Sequence, residues 1–167
     1  MFDSPERLSQ LHELLEELPA FHVALSDVPE ASSEAEVPAN WLDGMAEAAY
    51  LIAAADGGLG EQDVEGFRRG LAAVSEGRLA PARTLLAIER VQRKVHDHVA
   101  SQLFHEIAEL VPETPLREAV FLVASATILD RASPSQRQTL AQHALGHAFG
   151  FSEGKIQQLV ARLRHSV

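Results

Sequence analysis

Two segments of the chain repeat one pattern and decide its fold: Glu47-Ala-Ala-Tyr-Leu-Ile-Ala-Ala-Ala55 and Glu118-Ala-Val-Phe-Leu-Val-Ala-Ser-Ala126. Five of the nine positions are identical, and the other four are conservative. Each segment is followed by a loop that holds an aspartate and then by a capped helix. The repeat predicts a duplicated helix–loop–helix unit, with antiparallel helix pairs that pack about a pseudo-two-fold axis.

The rest of the chain is also helical in pattern. Apolar residues recur every three or four positions, and proline, serine and glycine mark the ends of these runs. The predicted helices are 5–18, 40–55, 61–76, 81–111, 114–129, 134–149 and 152–165. Apolar residues make up 46% of the chain and aromatic residues only 5%, which favours close-packed helices over a sheet. We therefore predict an all-α, compact bundle of about seven helices.

An acidic stretch rich in small residues and proline divides the chain. It predicts a linker over 26–39, between an N-terminal helical extension (1–25) and the main helical domain (40–167). The first residues lack the basic and apolar regions of a signal peptide, and cysteine is absent. We therefore expect a cytoplasmic protein with no membrane span.

The charge is distributed unevenly. Residues 1–66 carry fifteen acids and one base, a net charge of −14, whereas 67–167 carry thirteen bases and nine acids, a net charge of +4. Nucleic acid is therefore not an expected partner, and cations or a basic protein surface are. Solubility alone explains the same acidity equally well.

Within the repeat, the chain resembles the tellurite-resistance TerB-like family over roughly 40–163. The residues that carry this resemblance are Ala55-Asp56-Gly57, Leu59, Asp63 and the turn Leu145-Gly146-His-Ala-Phe149-Gly150-Phe151-Ser152. The resemblance implies a duplicated bundle that binds divalent cations through acidic loops and acts as a sensor or adaptor in a stress response of the tellurite type. The second loop departs from the family pattern, with Leu129-Asp130-Arg131 for Ala-Asp-Gly and Gln136 for an acid.

Four carboxylates are candidate metal ligands: Asp56, Glu61, Asp63 and Asp130. Carboxylate oxygens suit calcium, manganese or magnesium, although the spacing is not that of an EF-hand. The alternative is that Asp56 accepts hydrogen bonds from the loop while Glu61 and Asp63 stabilise a helix N-terminus.

Two histidines, His143 and His147, lie four residues apart on one predicted helix. This spacing can chelate zinc. A zinc site needs further ligands that the sequence does not identify, and eight histidines in the chain make such pairs common by chance. Surface histidines are the simpler interpretation.

Four basic residues form a candidate partner-binding cluster: Arg83, Arg90, Arg93 and Lys94. The default interpretation is a solvated helix face. The alternatives are an acidic protein partner, the chain's own acidic segment, or self-association as a homodimer.

Catalytic motifs are absent from the sequence. It contains no Glu-x-x-His for a di-iron bundle, no P-loop, no nucleophile elbow and no dinucleotide fingerprint. We expect a non-enzymatic protein that binds divalent cations weakly. The alternative is a metal-independent protein–protein interaction module.

Overall fold

The computed structural model describes residues 2, 4–28, 39–129 and 133–165. These residues form nine α-helices and no strand, which confirms the all-α prediction, although the expected number of seven is wrong. The helices are α1 (Pro5–Glu16), α2 (Pro19–Asp27), α3 (Trp41–Ala53), α4 (Glu61–Val74), α5 (Pro81–Val95), α6 (Ala100–Leu110), α7 (Thr114–Leu129), α8 (Gln136–Ala148) and α9 (Glu153–His165).

The prediction of one helix over 81–111 is wrong, because the helix is interrupted between the end of α5 and the start of α6. Both helices pack against α3. A straight helix of that length would extend about 46 Å, whereas a small domain spans about 30 Å. The regular spacing of apolar residues continues across this break, so the sequence pattern does not indicate it. In the structure, Val95 and Val99 are exposed at the break.

The N-terminal residues form two helices rather than one. Pro19 begins α2, because proline is tolerated in the first turn of a helix. Both α1 and α2 contribute to the same hydrophobic core as the rest of the chain, through Leu15 and Phe21 among others. The predicted boundary between residues 25 and 26 falls inside α2, and 29–38 of the predicted linker lies outside the described residues.

Helices α3 and α7, which contain the repeated segments, pack against each other at the centre. Residues 42–50 of α3 and 119–125 of α7 are buried without interruption. A helix that is buried on every side must be enclosed by others. Helices α5, α6 and α8 cover α3, while α1, α2, α8 and α9 cover α7.

Helix α8 begins at Gln136, two residues later than predicted, with Ser135 as its N-cap. Ser135 Oγ accepts a hydrogen bond from the Gln138 backbone at 3.1 Å, and Gln138 Oε1 accepts one from the Ser135 backbone at 3.0 Å. Gln138 Nε2 also donates to the Ala53 carbonyl at 3.1 Å. The start of α8 is thereby attached to the end of α3.

In the described part of the chain, no helix is both long enough and apolar enough to cross a membrane.

Candidate functional site

A groove of about 820 Å³ lies between the end of α3, the α5–α6 junction and α8. Its volume falls within the range of roughly 300–1,000 Å³ that is typical of ligand sites. The lining is mainly apolar or small, and it includes Tyr50, Leu51, Ala54, Ala55, Val95, Ala100, Phe104, Leu140, Ala141 and Ala144. The groove exists because Gln138 ties α8 to α3 while α5 and α6 change direction beside them.

Exposed apolar side chains surround this groove. Val95 is 50% exposed and Leu140 is 62% exposed, and both line it. Val99, which is 64% exposed, lies between the lining residues His98 and Ala100. Exposed apolar side chains grouped at one groove often mark an interaction surface.

The polar groups of the groove are basic or neutral. His96, His98 and Arg137 line it, and the described lining residues include no carboxylate. The Tyr50 hydroxyl accepts a hydrogen bond from Gln92 Nε2 at 3.0 Å. The groove therefore combines apolar walls with positive or titratable groups.

A second notable feature is a pair of buried carboxylates on α3 that face arginines on α5. Asp43 is 2% exposed and accepts hydrogen bonds from Arg83 Nε at 2.9 Å and Nη2 at 2.7 Å. Glu47 is 4% exposed and accepts from Arg90 Nε at 2.7 Å. Burial raises the pKa of Glu47, and the hydrogen bond and charge of Arg90 oppose that rise. These pairs join α3 to α5.

The predicted basic cluster is divided by these contacts. Arg83 and Arg90 pair with carboxylates of α3, and Lys94 Nζ lies 2.7 Å from Glu106 Oε2 on α6. The hydrogen bond from Lys94 lowers the pKa of Glu106. Arg93 is exposed in the last turn of α5. Binding of a partner by these four residues stays a prediction.

The predicted acidic loop follows α3. Asp56, Glu61 and Asp63 are exposed, and the last two lie in the first turn of α4, where they complement the helix dipole. Among the described residues, the ligand atoms of these three do not converge as a metal-binding group. Asp130 lies outside the described residues, so a site that joins both loops stays a prediction.

The described residues do contain one group of convergent metal ligands: His143 and His147 on α8, and Glu153 at the start of α9. One ligand atom from each lies within 4.8 Å of the other two. The sequence pattern indicated the two histidines but not Glu153. The sequence indicated the turn at Gly150 but not its geometry: with φ of 81°, it returns the chain so that Glu153 lies beside the two histidines.

The described surface thus includes an apolar groove with basic groups and a His–His–Glu cluster, and a ligand could bind at either. The buried Asp43 and Glu47 contacts connect helices instead. No family model, no curated protein and no solved structure matches this chain.

Proposed function

We propose that the chain is a non-enzymatic, TerB-like binding protein that holds an acidic amphipathic helix of a partner protein in the α3–α6–α8 groove. The observation that carries this proposal is the apolar groove with Val95, Val99 and Leu140 exposed around it. Exposed apolar groups gain free energy when a partner removes them from water, at about 25 cal/mol per Å².

The shape of the groove favours a helix as the occupant. Small side chains, including those of Ala54, Ala55, Ala141 and Ala144, line it and leave room for a bulky apolar face. An amphipathic helix presents its apolar side chains every three or four residues along one such face.

The positive charge of Arg137 and the absence of a carboxylate from the described lining favour an acidic helix. His96, His98 and Arg137 line the groove without a carboxylate among the described lining residues. Acidic residues beside the apolar face of the partner would complement these groups and speed association. The whole chain has a net charge of −10, so acidic partners would be repelled from most of its surface.

A fluorescent 16-residue helical peptide, with leucines on one face and glutamates on the other, tests this proposal by fluorescence polarisation. We expect binding by the wild-type chain and at least about a tenfold loss in Leu140→Glu, because a charge would enter the apolar contact. Val23→Glu is the matched control, since Val23 on α2 is 63% exposed and does not line the groove.

A peptide with lysines in place of the glutamates should bind more weakly, and added salt should reduce that difference. Equal binding of the glutamate peptide by Leu140→Glu and Val23→Glu, or no measurable binding by the wild type, would contradict the groove proposal.

The proposed duplication is supported by the equivalent glutamates of the two segments. Glu47 pairs with Arg90, and Glu118 Oε1 lies 2.8 Å from Lys155 Nζ. Both segments also occupy the centre of the bundle. A cytoplasmic role as a stress-response sensor or adaptor rests on the TerB-like resemblance.

A second candidate function is weak binding of calcium, manganese or magnesium by Asp56, Glu61, Asp63 and Asp130. It is supported by the exposed carboxylates. It is also supported by Gly57 and Gly58 in the loop, whose φ angles of 142° and 93° are backbone conformations that favour glycine. Thermal unfolding in Ca²⁺ or Mn²⁺ tests it: an ion present at ten times its Kd should add about 1.4 kcal/mol of stability. An identical shift in Asp56→Asn, or none in the wild type, would exclude Asp56 as a ligand.

A further inference from the structure

We propose that His143, His147 and Glu153 form a binding site for a divalent transition-metal ion, with zinc as the preferred ion. This site is separate from the groove and from the acidic loop after α3. The proposal therefore stands or falls independently of the proposed function.

The distances between ligand atoms fit a tetrahedral metal centre. His143 Nδ1 lies 3.2 Å from Glu153 Oε1, and His147 Nε2 lies 3.5 Å from Glu153 Oε2. Bonds of about 2.0–2.2 Å at tetrahedral angles place neighbouring ligand atoms about 3.3–3.6 Å apart. A single oxygen, Glu153 Oε2, lies 3.3 Å from His143 Nδ1 and 3.5 Å from His147 Nε2, so both nitrogen–oxygen separations match those around a zinc ion. The two histidine nitrogens lie within 4.8 Å of each other.

A simple hydrogen-bonded cluster explains this arrangement less well. His143 Nδ1 is within hydrogen-bonding distance of Glu153 Oε2, at 3.3 Å. His147 Nε2, at 3.5 Å from the same carboxylate, is too distant for a good hydrogen bond. Both imidazoles nevertheless direct a nitrogen toward one carboxylate group.

The backbone that carries the three ligands is held firmly. His143 and His147 lie one turn apart on α8, and the turn between α8 and α9 is anchored by two buried phenylalanines, Phe149 and Phe151. Arg117 Nη1 donates to the Phe149 carbonyl at 3.2 Å. The backbone at the three ligands therefore needs little reorganisation before an ion binds, which increases affinity.

The surroundings of the cluster also suit a metal site. Gln157 Nε2 donates to Glu153 Oε1 at 3.4 Å and so helps to orient the carboxylate. His143 lines a cleft of about 510 Å³ between α8 and α9. Gln142 lines the same cleft, and its buried Nε2 has no hydrogen-bond partner among the described residues. An oxygen-containing ligand in this cleft would satisfy that amide and lie beside His143.

The donor set indicates which ions bind. Two imidazoles and one carboxylate suit zinc and its neighbours, whereas calcium and magnesium prefer oxygen ligands alone. Three protein ligands leave a fourth position for water or another small ligand. The same donor set also occurs in non-haem iron(II) proteins, so the test must compare both ions.

Titration of the full chain, with any affinity tag removed, tests the site by calorimetry with Zn²⁺, with anaerobic Fe²⁺ and with Mg²⁺. We expect one Zn²⁺ per chain, weaker Fe²⁺ binding and no displacement by Mg²⁺. His147→Ala and Glu153→Gln should each weaken Zn²⁺ binding by more than about tenfold, because each removes a ligand. His105 is an exposed histidine on α6, and the control variant His105→Ala should bind zinc as the wild type does.

Cobalt(II) provides a second readout, because four-coordinate cobalt absorbs visible light much more strongly than six-coordinate cobalt. We expect strong absorption in the wild type and in His105→Ala, and its loss in His147→Ala. Unchanged circular dichroism would show that the variants fold. Absence of zinc uptake, tighter binding of Fe²⁺ than of Zn²⁺, or equal affinity in all three variants would overturn the proposal.

Discussion

Replacement of Asp43 by alanine should lower the free energy of unfolding by about 3–5 kcal/mol. Asp43 is buried, and each of its two carboxylate oxygens accepts a hydrogen bond from Arg83. Oδ2 also accepts a hydrogen bond from the Asn40 backbone at 2.7 Å, as part of the capping box of α3. The substitution therefore removes two hydrogen bonds that the nearly buried guanidinium of Arg83 donates, and it also removes part of the capping box of α3.

Chemical denaturation of the wild type and of Asp43→Ala measures this loss. The thermal midpoint should fall by roughly 6–20 °C, since 1 kcal/mol corresponds to about 2–4 °C in a domain of this size. Asp97→Ala, at an exposed aspartate in the α5–α6 junction, should change stability by less than about 0.5 kcal/mol.

A double-mutant cycle with Arg83→Ala measures how much of the lost unfolding free energy comes from the Asp43–Arg83 ion pair. We expect a coupling free energy above about 1 kcal/mol, because the two side chains contact directly. Additive losses in the two single variants would show that Asp43 acts through the cap of α3 and not through Arg83.

Gly146→Val should destabilise the chain by about 1–3 kcal/mol through overpacking between α8 and α9. A Cβ atom at position 146 would lie 2.6 Å from Cγ1 and Cδ1 of Ile156, and 3.3 Å from the ring of Phe121. Both neighbours are fully buried, so α9 must move away from α8. That movement should also separate Glu153 from His143 and His147 and weaken zinc binding.

Gly154→Ala is the matched control, since it changes a helical glycine of α9 where there is space. A Cβ there has only Ser152 Oγ near it, at 4.0 Å. Removing the flexibility of a helical glycine adds up to about 1 kcal/mol of stability. The two substitutions should therefore shift the denaturation midpoint in opposite directions. A stabilising effect of Gly146→Val would mean that α8 and α9 do not approach closely at this position.

The site predictions illustrate the limit of patterns along the chain. The basic residues at 83, 90, 93 and 94 read as one cluster, yet Arg83 and Arg90 contact buried carboxylates on α3. Nothing in the spacing reveals this, because a buried aspartate or glutamate looks the same in sequence as an exposed one. The partner of a charge depends on which helices pack together.

The groove also depends on which helices pack together. Its apolar residues fit a regular helical pattern, and that pattern predicted one continuous helix over 81–111. The break after Val95 leaves Val95 and Val99 on the surface, since α5 and α6 must each pack against α3. Whether an apolar residue is buried depends on the direction of its helix, and that direction depends on contacts far apart in the chain.

The sequence by itself determined the helical class and most helix ends. Those features follow from local propensity, capping and the three- to four-residue spacing of apolar side chains, all of which act over short distances. Only the tertiary structure decided that Arg83 binds Asp43, that Glu153 joins two histidines, and that a groove opens beside α8. These arrangements depend on packing between helices distant in sequence, or on the exact return of the chain after a tight turn, and residue spacing alone does not encode either.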